Sequence, residues 1–185
     1  VARMERQASR SAARTDAEGR PVLLMDQDRG RWDRLLIRRG LAALERAETL
    51  CAERGEPLGS YALQAGIAAC HARAATPQAT DWPRIVALYD ALAEVSPSPV
   101  VELNREVAVG MAFGPAVALP LEDALCAEPA LKNYQWLPSV RGDLLAKLDR
   151  RDEARAEFER AASLAGNARE RLLLLERARG MTARS

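Results

Sequence analysis

Apolar residues recur every three or four positions through most of this chain, which is the spacing of one buried face of an α-helix. The longest such stretch runs from Trp32 to about Glu53, and the same period returns in every later segment. Glycine and proline divide the segments at short intervals. The dividing residues are Gly55-Glu56-Pro57, Thr76-Pro77, Ser98-Pro99 and Gly114-Pro115. The pattern predicts about eight or nine helices joined by short loops.

Polar residues at the segment starts predict helix N-caps, because their side-chain oxygens can accept the first free backbone N–H groups. The predicted caps are Ser60, Asp81, Ser98 and Asn167. Before the long helix, a short amphipathic helix is predicted over residues 2–13, a turn over 16–21, and an extended or buried apolar stretch over 22–25.

Three consecutive helix pairs show a tetratricopeptide-like pattern. In the last pair, the small residue Gly142 in the first helix and the alanines of an Ala-Phe-Ala set in the second helix are expected to let the two helices approach closely. The aromatic residue of that set is expected to fill the gap between successive hairpins. That set is Ala154, Phe158 and Ala161. Steps of 38 residues back from Gly142 reach Asn104 and then Gly66. In the first pair, the set corresponds to Ile85, Tyr89 and Leu92. The pairs are predicted at 58–96, 98–127 and 134–166.

The predicted fold class is therefore all-α. We expect a tetratricopeptide-like array of helical hairpins, coiled as a right-handed superhelix, with a helical segment before it and a capping helix after it. The predicted organisation is an N-terminal helical segment over 1–56, repeats over 57–180 and a frayed tail over 181–185.

Composition agrees with this fold. The chain has 36 alanines and 25 leucines among 185 residues, with only 4% aromatic residues. That balance favours helices over sandwiches, barrels or doubly wound sheets. The net charge is +1, so no global basic field draws the chain to nucleic acid. Arginines are concentrated in residues 1–39, but acids interrupt them and no aromatic residues alternate with them.

Compartment and length are also constrained. The three cysteines, Cys51, Cys70 and Cys126, are scattered and odd in number, so neither a disulfide framework nor a zinc site is indicated. No apolar run is long enough to span a bilayer, and no signal peptide is apparent. We therefore expect a cytoplasmic protein with no membrane partner. Because the chain begins at Val1, it is expected to be a piece of a longer protein.

No enzyme chemistry is indicated. The sequence has no glycine-rich phosphate loop, no metal-ligand cluster and no nucleophile with a nearby base. His71 follows Cys70, but adjacent helix positions point about 100° apart, which is wrong for a catalytic dyad. We expect His71 to make a hydrogen bond between hairpins. No catalytic residue, metal ligand or cofactor is assigned.

Several segments resemble a known family. They occur in order along nearly the whole chain, beginning with the stretch Leu23-Leu24-Met25-Asp26-Gln27-Asp28-Arg29-Gly30-Arg31-Trp32-Asp33. The later ones are Leu63–Ala72 with Asp81-Trp82, Ser98–Arg105, Phe113-Gly114-Pro115 and Leu137–Leu145. Together they resemble the tetratricopeptide-like C-terminal extension of a bacterial extracytoplasmic-function RNA polymerase sigma factor. The sequence departs from that family at Glu106 and Pro120, where Ala or Leu-like residues are usual.

The resemblance implies a regulatory role in transcription initiation. The implied partners are RNA polymerase core and the protein's own sigma domains. Promoter DNA would be contacted only through those sigma domains, which these residues do not contain. An alternative is an independent adaptor that binds a peptide of another protein.

The segment from Asp26 to Asp33 is the candidate docking motif. As a docking surface, it would use Asp26, Gln27, Asp28, Arg29, Trp32 and Asp33, because Arg and Trp are enriched in interface hot spots. As a structural element, Asp28 would cap the long helix, Trp32 would pack in the core, and Arg29 would pair with Asp33. Arg29→Ala is expected to leave folding intact if docking is the role.

A second candidate surface is the concave groove that first helices line in tetratricopeptide stacks. Asn104, Arg105 and Arg141 are the candidates there for holding a peptide or a carboxylate. The alternative is ordinary surface charge, paired with Glu102, Glu106 or Asp143.

Overall fold

The structure is a computed structural model that describes residues 9–15, 22 and 26–182. Eight α-helices and no β-strand occur within those residues, which confirms the all-α prediction. The helices are α1 (Arg34–Arg54), α2 (Ser60–Arg73), α3 (Trp82–Val95), α4 (Pro99–Phe113), α5 (Pro115–Leu125), α6 (Trp136–Lys147), α7 (Arg151–Leu164) and α8 (Ala168–Gly180). The predictions for residues 2–8, 16–21 and 23–25, and for the tail beyond residue 182, lie outside the described residues.

The chain forms two compact units, residues 1–97 and residues 98–185. The division does not coincide with the predicted boundary between residues 56 and 57. The reason is that α2 packs on α1 as well as on α3, so the long helix belongs with the first hairpin.

The three predicted helix pairs are confirmed. In the first unit, α2 and α3 pack as a hairpin; in the second, α4 packs with α5 and α6 with α7. The predicted capping helix is α8, which packs on α7. Pro120 lies inside α5 without ending it, and Gly114, with φ of 96°, makes the turn between α4 and α5.

A side-chain cap stands at the start of half of the eight described α-helices. Asp81 accepts the N–H of Arg84, and Ser98 accepts the N–H of Val100, as predicted. Asn167 likewise caps α8. The prediction for Ser60 is wrong: Ser60 is the first residue of α2, and Gly59 stands at the cap without a side-chain acceptor.

Each unit has its own apolar core. In the first, Leu44 of α1 packs with two alanines of α2, and in the second, Leu103 of α4 packs with two further leucines. These partners are Ala65 and Ala69 in the first unit, and Leu131 and Leu137 in the second. Burying a leucine side chain stabilises a fold by roughly 1.5–3 kcal/mol, so these clusters account for much of the stability of each unit.

The first hairpin closes over Gly66 as predicted, but with a different partner. A Cβ atom on Gly66 would lie 3.2 Å from Cδ1 and Cδ2 of Leu88. Leu88 is 7% exposed, whereas Tyr89, the residue predicted to correspond to Phe158, is only half-buried. Ile85 and Leu92 are buried as expected.

In the second hairpin the close approach falls at Gly110 rather than at Asn104. A Cβ atom on Gly110 would lie 3.2 Å from the Cβ of Ala118 and 3.1 Å from Cδ2 of Leu144. Asn104 is exposed on α4, and its side chain donates to the backbone oxygen of Val100. The 38-residue step therefore marks the helix but not the contact position.

Candidate docking site

Arg29 ties the candidate motif to the first hairpin. Its Nη1 donates to the backbone oxygens of His71, at 2.7 Å, and Ala74, at 2.6 Å. Its Nη2 donates to Oγ1 of Thr80 at 3.2 Å. Because the last carbonyls of a helix lack intrahelical partners and carry partial negative charge, a guanidinium there both satisfies and neutralises the end of α2.

Trp32 lies in the interior beside two arginines. Its side chain is 4% exposed. The guanidinium carbons of Arg29 and Arg10 lie 5.2 Å and 5.8 Å from the centre of its ring, within the range of cation–π attraction. The indole N–H is buried and has no hydrogen-bond partner among the residues that the structure describes. Trp32 is therefore a core residue, as the structural interpretation of the motif predicts.

Two aspartates of the motif, Asp28 and Asp33, act as helix caps, although Asp28 does not cap the helix predicted for it. Asp33, rather than Asp28, caps the long helix α1: its Oδ1 accepts the N–H groups of Leu35 and Leu36 at 2.9 Å and 3.0 Å. Asp28 caps the short 3₁₀ turn Arg29–Arg31 by accepting the N–H of Gly30 at 2.8 Å. The guanidinium of Arg29 is directed to α2 instead of forming the predicted pair with Asp33.

The six motif residues thus divide into two groups. Gln27, Arg29 and Trp32 face inward; Gln27 is 9% exposed and donates to the backbone oxygen of Val22 at 3.1 Å. The exposed group is entirely acidic: Asp26, Asp28 and Asp33. Of the six motif residues, only acidic ones are thus presented to a partner, beside the exposed Arg31, in place of the Arg29–Trp32 surface that the sequence suggested.

His71 packs against the start of α3. Its ring meets that of Trp82 edge to face, with centroids 5.2 Å apart and planes at 78°. Its Nδ1 is buried and has no partner in the described part of the chain, so the contact between the helices is a ring contact, not the expected hydrogen bond. Burial first, and then the positive charges of Arg10 and Arg29, lower the pKa of His71 to about 4, so the ring is neutral at pH 7.

A pocket of about 570 Å³ opens beside the motif. The 3₁₀ turn, the first turns of α1 and the end of α2 form it. Its described lining residues are Arg29, Gly30, Trp32, Arg34, Ile37, Arg38, Ala72, Arg73, Ala74 and Ala75. All of the charged residues in that set are arginines, and nothing in the sequence pattern indicated that they would converge.

The candidate groove residues are engaged within the second unit. Nε of Arg141 lies 2.9 Å from Oδ1 of Asp123, and its Nη1 lies 2.8 Å from Oε1 of Glu157. Nη1 of Arg105 lies 3.8 Å from Oε2 of Glu102, as the surface-charge alternative predicts. Asp143, offered as a partner for these arginines, instead pairs with Arg177 of α8.

A buried carboxyl pair lies between α4 and α5. Glu106 is 5% exposed and Glu122 is fully buried. Burial first, and then the neighbouring Glu106, raise the pKa of Glu122 to about 9, so Glu122 carries a proton at neutral pH. From the sequence, Glu106 was noted as a departure from the family pattern and as a possible partner for surface arginines, and Glu122 was not identified. A usable signal existed, because the two residues stand equally far from the turn at Gly114.

The described residues hold no group of three or more His, Cys, Asp or Glu side chains placed to bind a metal ion. Cys51, Cys70 and Cys126 are unbridged. Within the part of the chain that the structure describes, none of the helices has the length and apolar character needed to cross a membrane.

Comparison with known proteins places the motif in a matched segment. Residues 1–48, which include all six motif residues, match a family of unknown function (DUF6596). An uncharacterized protein of Rhizobium meliloti (strain 1021) is 47% identical over 164 residues, which amount to 89% of this chain and 37% of that relative. The chain thus spans little more than a third of that relative's length. No solved structure matches the chain significantly.

Proposed function

We propose that this chain is a regulatory, protein-docking part of a bacterial extracytoplasmic-function sigma factor. It acts in the cytoplasm by docking on the sigma domains of the same protein or on core RNA polymerase, and thereby controls promoter-directed transcription initiation. It performs no catalysis and needs no cofactor. Promoter DNA is contacted by the sigma domains alone.

The observation that carries the proposal is the way the segment 26–33 is held. Arg29 and Trp32 are used to attach this segment to the first hairpin, while Asp26 and Asp28 stay exposed. Because the attachment fixes the backbone, the acidic side chains are presented in a defined arrangement, and preorganised groups lose less entropy on binding.

The helical hairpins support the wider interpretation. In the second unit, α5 packs on α6 and α4 also contacts α6, so successive hairpins stack on one another. Stacked hairpins of this kind are typical of tetratricopeptide-like repeats, which bind protein segments. A right-handed tetratricopeptide-like superhelix is part of the proposal.

The length of the relative from Rhizobium meliloti is compatible with further domains. More than half of that protein has no counterpart in this chain. In a protein of the proposed kind, that length would contain the sigma domains.

The test is binding of this chain to two separately prepared targets, its own sigma domains and core RNA polymerase. The motif variant carries Asp26→Asn and Asp28→Asn, since asparagine keeps the capping acceptor of residue 28 but removes its charge. The control is Asp81→Asn, an exposed helix cap of the same unit. We expect weaker binding of the motif variant to one target and unchanged binding of the control. Binding to neither target, or equal binding by the motif variant, would contradict the proposal.

A second candidate function is that of an independent adaptor that binds a peptide of another protein. The pocket beside Arg29 favours it, because the pocket presents arginines that have no ion-pair partner among the described residues. Failure to bind either transcription target, together with binding of an unrelated peptide, would favour this candidate.

A further inference from the structure

The pocket beside the motif has an uneven distribution of charge. Arg34 and Arg38 lie on one face of the first turns of α1, and Arg73 stands at the end of α2. All three are exposed, and within the described chain none of them has an ion-pair partner. Arginines that converge on one opening repel one another, so a ligand with negative charge is needed to balance them.

Arg29 cannot balance the charge of the other arginines, because it is also positive, and it is not available to bind a ligand. Its two Nη atoms already donate to three oxygens of the first hairpin. The described pocket lining contains no acidic residue. The positive field also reaches inward, because Arg29 contributes to the lowered pKa of His71.

The rest of the lining is apolar. Trp32 and Ile37 form one side of the pocket, and the other apolar lining residues are alanines at the end of α2. The alanines are Ala72, Ala74 and Ala75. A volume of about 570 Å³ lies within the range of pockets that bind small ligands or side chains. The suited ligand therefore combines an apolar group with two or more anionic groups.

The arrangement of the arginines selects among such ligands. Exposed guanidinium groups at the rim suit carboxylates spread along a chain, which they can bind through paired hydrogen bonds. Single-stranded nucleic acid is disfavoured, because it needs exposed aromatic rings on which bases stack, and Trp32 is only 4% exposed. A compact phosphate would leave the apolar side of the pocket empty.

We propose that this pocket binds an acidic segment of a partner protein. An apolar side chain of the segment enters beside Ile37, and flanking carboxylates bind Arg34, Arg38 and Arg73. This inference does not depend on the proposed place of the chain in a sigma factor, because it concerns the positive pocket and not the acidic surface of the motif.

The test uses this chain and a fluorescent synthetic peptide in which a leucine is flanked by glutamates, with binding followed by fluorescence anisotropy. The pocket variant is Arg38→Ala with Arg73→Ala. The control variant is Arg46→Ala with Arg54→Ala, two exposed arginines of α1 outside the pocket. We expect the pocket variant to bind at least about tenfold more weakly, the scale of one lost charge-assisted hydrogen bond, and the control to bind normally.

Four outcomes would overturn the proposal: absence of peptide binding, equal weakening in the control, equal binding of a peptide with glutamine in place of glutamate, and binding of inorganic phosphate or polyuridylate in place of the peptide. A variant with reversed charges distinguishes loss of the pocket's positive charge from misfolding. Arg38→Glu with Arg73→Glu should lose the glutamate peptide and gain a peptide in which lysines flank the leucine, a result that an unfolded protein cannot give.

Discussion

The ring of Phe158 occupies the space in which a side chain at residue 142 would begin. A Cβ atom on Gly142 would lie 2.7 Å from Cε1 and 2.9 Å from Cδ1 of that ring. Phe158 is fully buried. The guanidinium carbon of Arg177, which lies on α8, is 4.3 Å from the centre of its ring. The glycine therefore allows α6 and α7 to approach closely, and the aromatic ring fills the resulting contact.

Gly142→Ala is expected to destabilise the second unit. The added methyl group must displace the ring of Phe158, which has no free volume, and overpacking of this kind costs roughly 1–3 kcal/mol. A lowered midpoint of urea unfolding, measured by circular dichroism, would verify it. Gly180→Ala is the matched control, since a Cβ atom there meets nothing within 4 Å. Equal midpoints for the two variants would show that the ring can move aside without cost.

Arg29→Ala is expected to destabilise the first unit, contrary to the expectation from the sequence that folding would stay intact. The substitution removes three donated hydrogen bonds, and charged hydrogen bonds contribute about 1.5–3 kcal/mol each at most sites. Arg29→Lys should recover only part of the loss, because an ammonium lacks the planar arrangement of donors. The unfolding midpoint measures both variants, and the exposed neighbour Arg31→Ala is the control. An unchanged midpoint for Arg29→Ala would mean that water replaces all three bonds.

The pair of Glu106 and Glu122 predicts a loss of stability at alkaline pH. Burial, followed by the hydrogen bond and the charge of Glu106, raises the pKa of Glu122 from 4.5 to about 9. The folded state therefore binds this proton more tightly than the unfolded state. Its contribution to stability is complete below pH 4.5 and is lost as the pH rises towards 9.

Glu122→Gln should flatten that dependence, because an amide has nearly the same shape as a carboxyl group and cannot ionise. The comparison is the change in unfolding midpoint between about pH 6 and about pH 9. Glu159→Gln, at an exposed position on α7, should retain the alkaline loss of the unmodified chain. The prediction fails if both variants lose stability equally. Arg141 and Asp123 also act on this carboxyl, with opposite signs, and both remain in each variant.

His71 predicts the opposite dependence for the first unit. Its pKa is lowered from 6.5 to about 4, so the folded state binds this proton less tightly than the unfolded state. The stability from neutral His71 is present above pH 6.5 and is lost as the pH falls towards 4. His71→Phe keeps the ring against Trp82 and removes the charge, so the acid loss should shrink. Tryptophan fluorescence during urea unfolding, between about pH 7 and about pH 4, is the measurement. An unaltered acid loss in His71→Phe would assign that loss to other groups.

The helix pattern could be predicted because its causes are local. Asp81 and Ser98 cap helices through N–H groups two or three residues away, and Gly114-Pro115 separates two helices by backbone geometry alone. The close approach of the two helices at Gly142 was also predicted, whereas Phe158, expected between successive hairpins, packs against Gly142 within one hairpin. The assignments of Tyr89 and Asn104 failed because they extended one hairpin's spacing to hairpins with loops of different length. In those hairpins, Leu88 and Gly110 make the close contacts.

By itself, the sequence determined that the chain is helical, where most helices begin and end, and that they form three pairs with a final helix, because hydrophobic period and capping act over a few residues. Tertiary structure alone decided what the side chains do. Arg29 finds its acceptors 42 to 51 residues away, and the arginines around its pocket come from two different helices. Glu122 keeps a proton at neutral pH because folding buries it beside Glu106, away from water. These relationships depend on which faces pack together, a property of the folded chain that no local pattern contains.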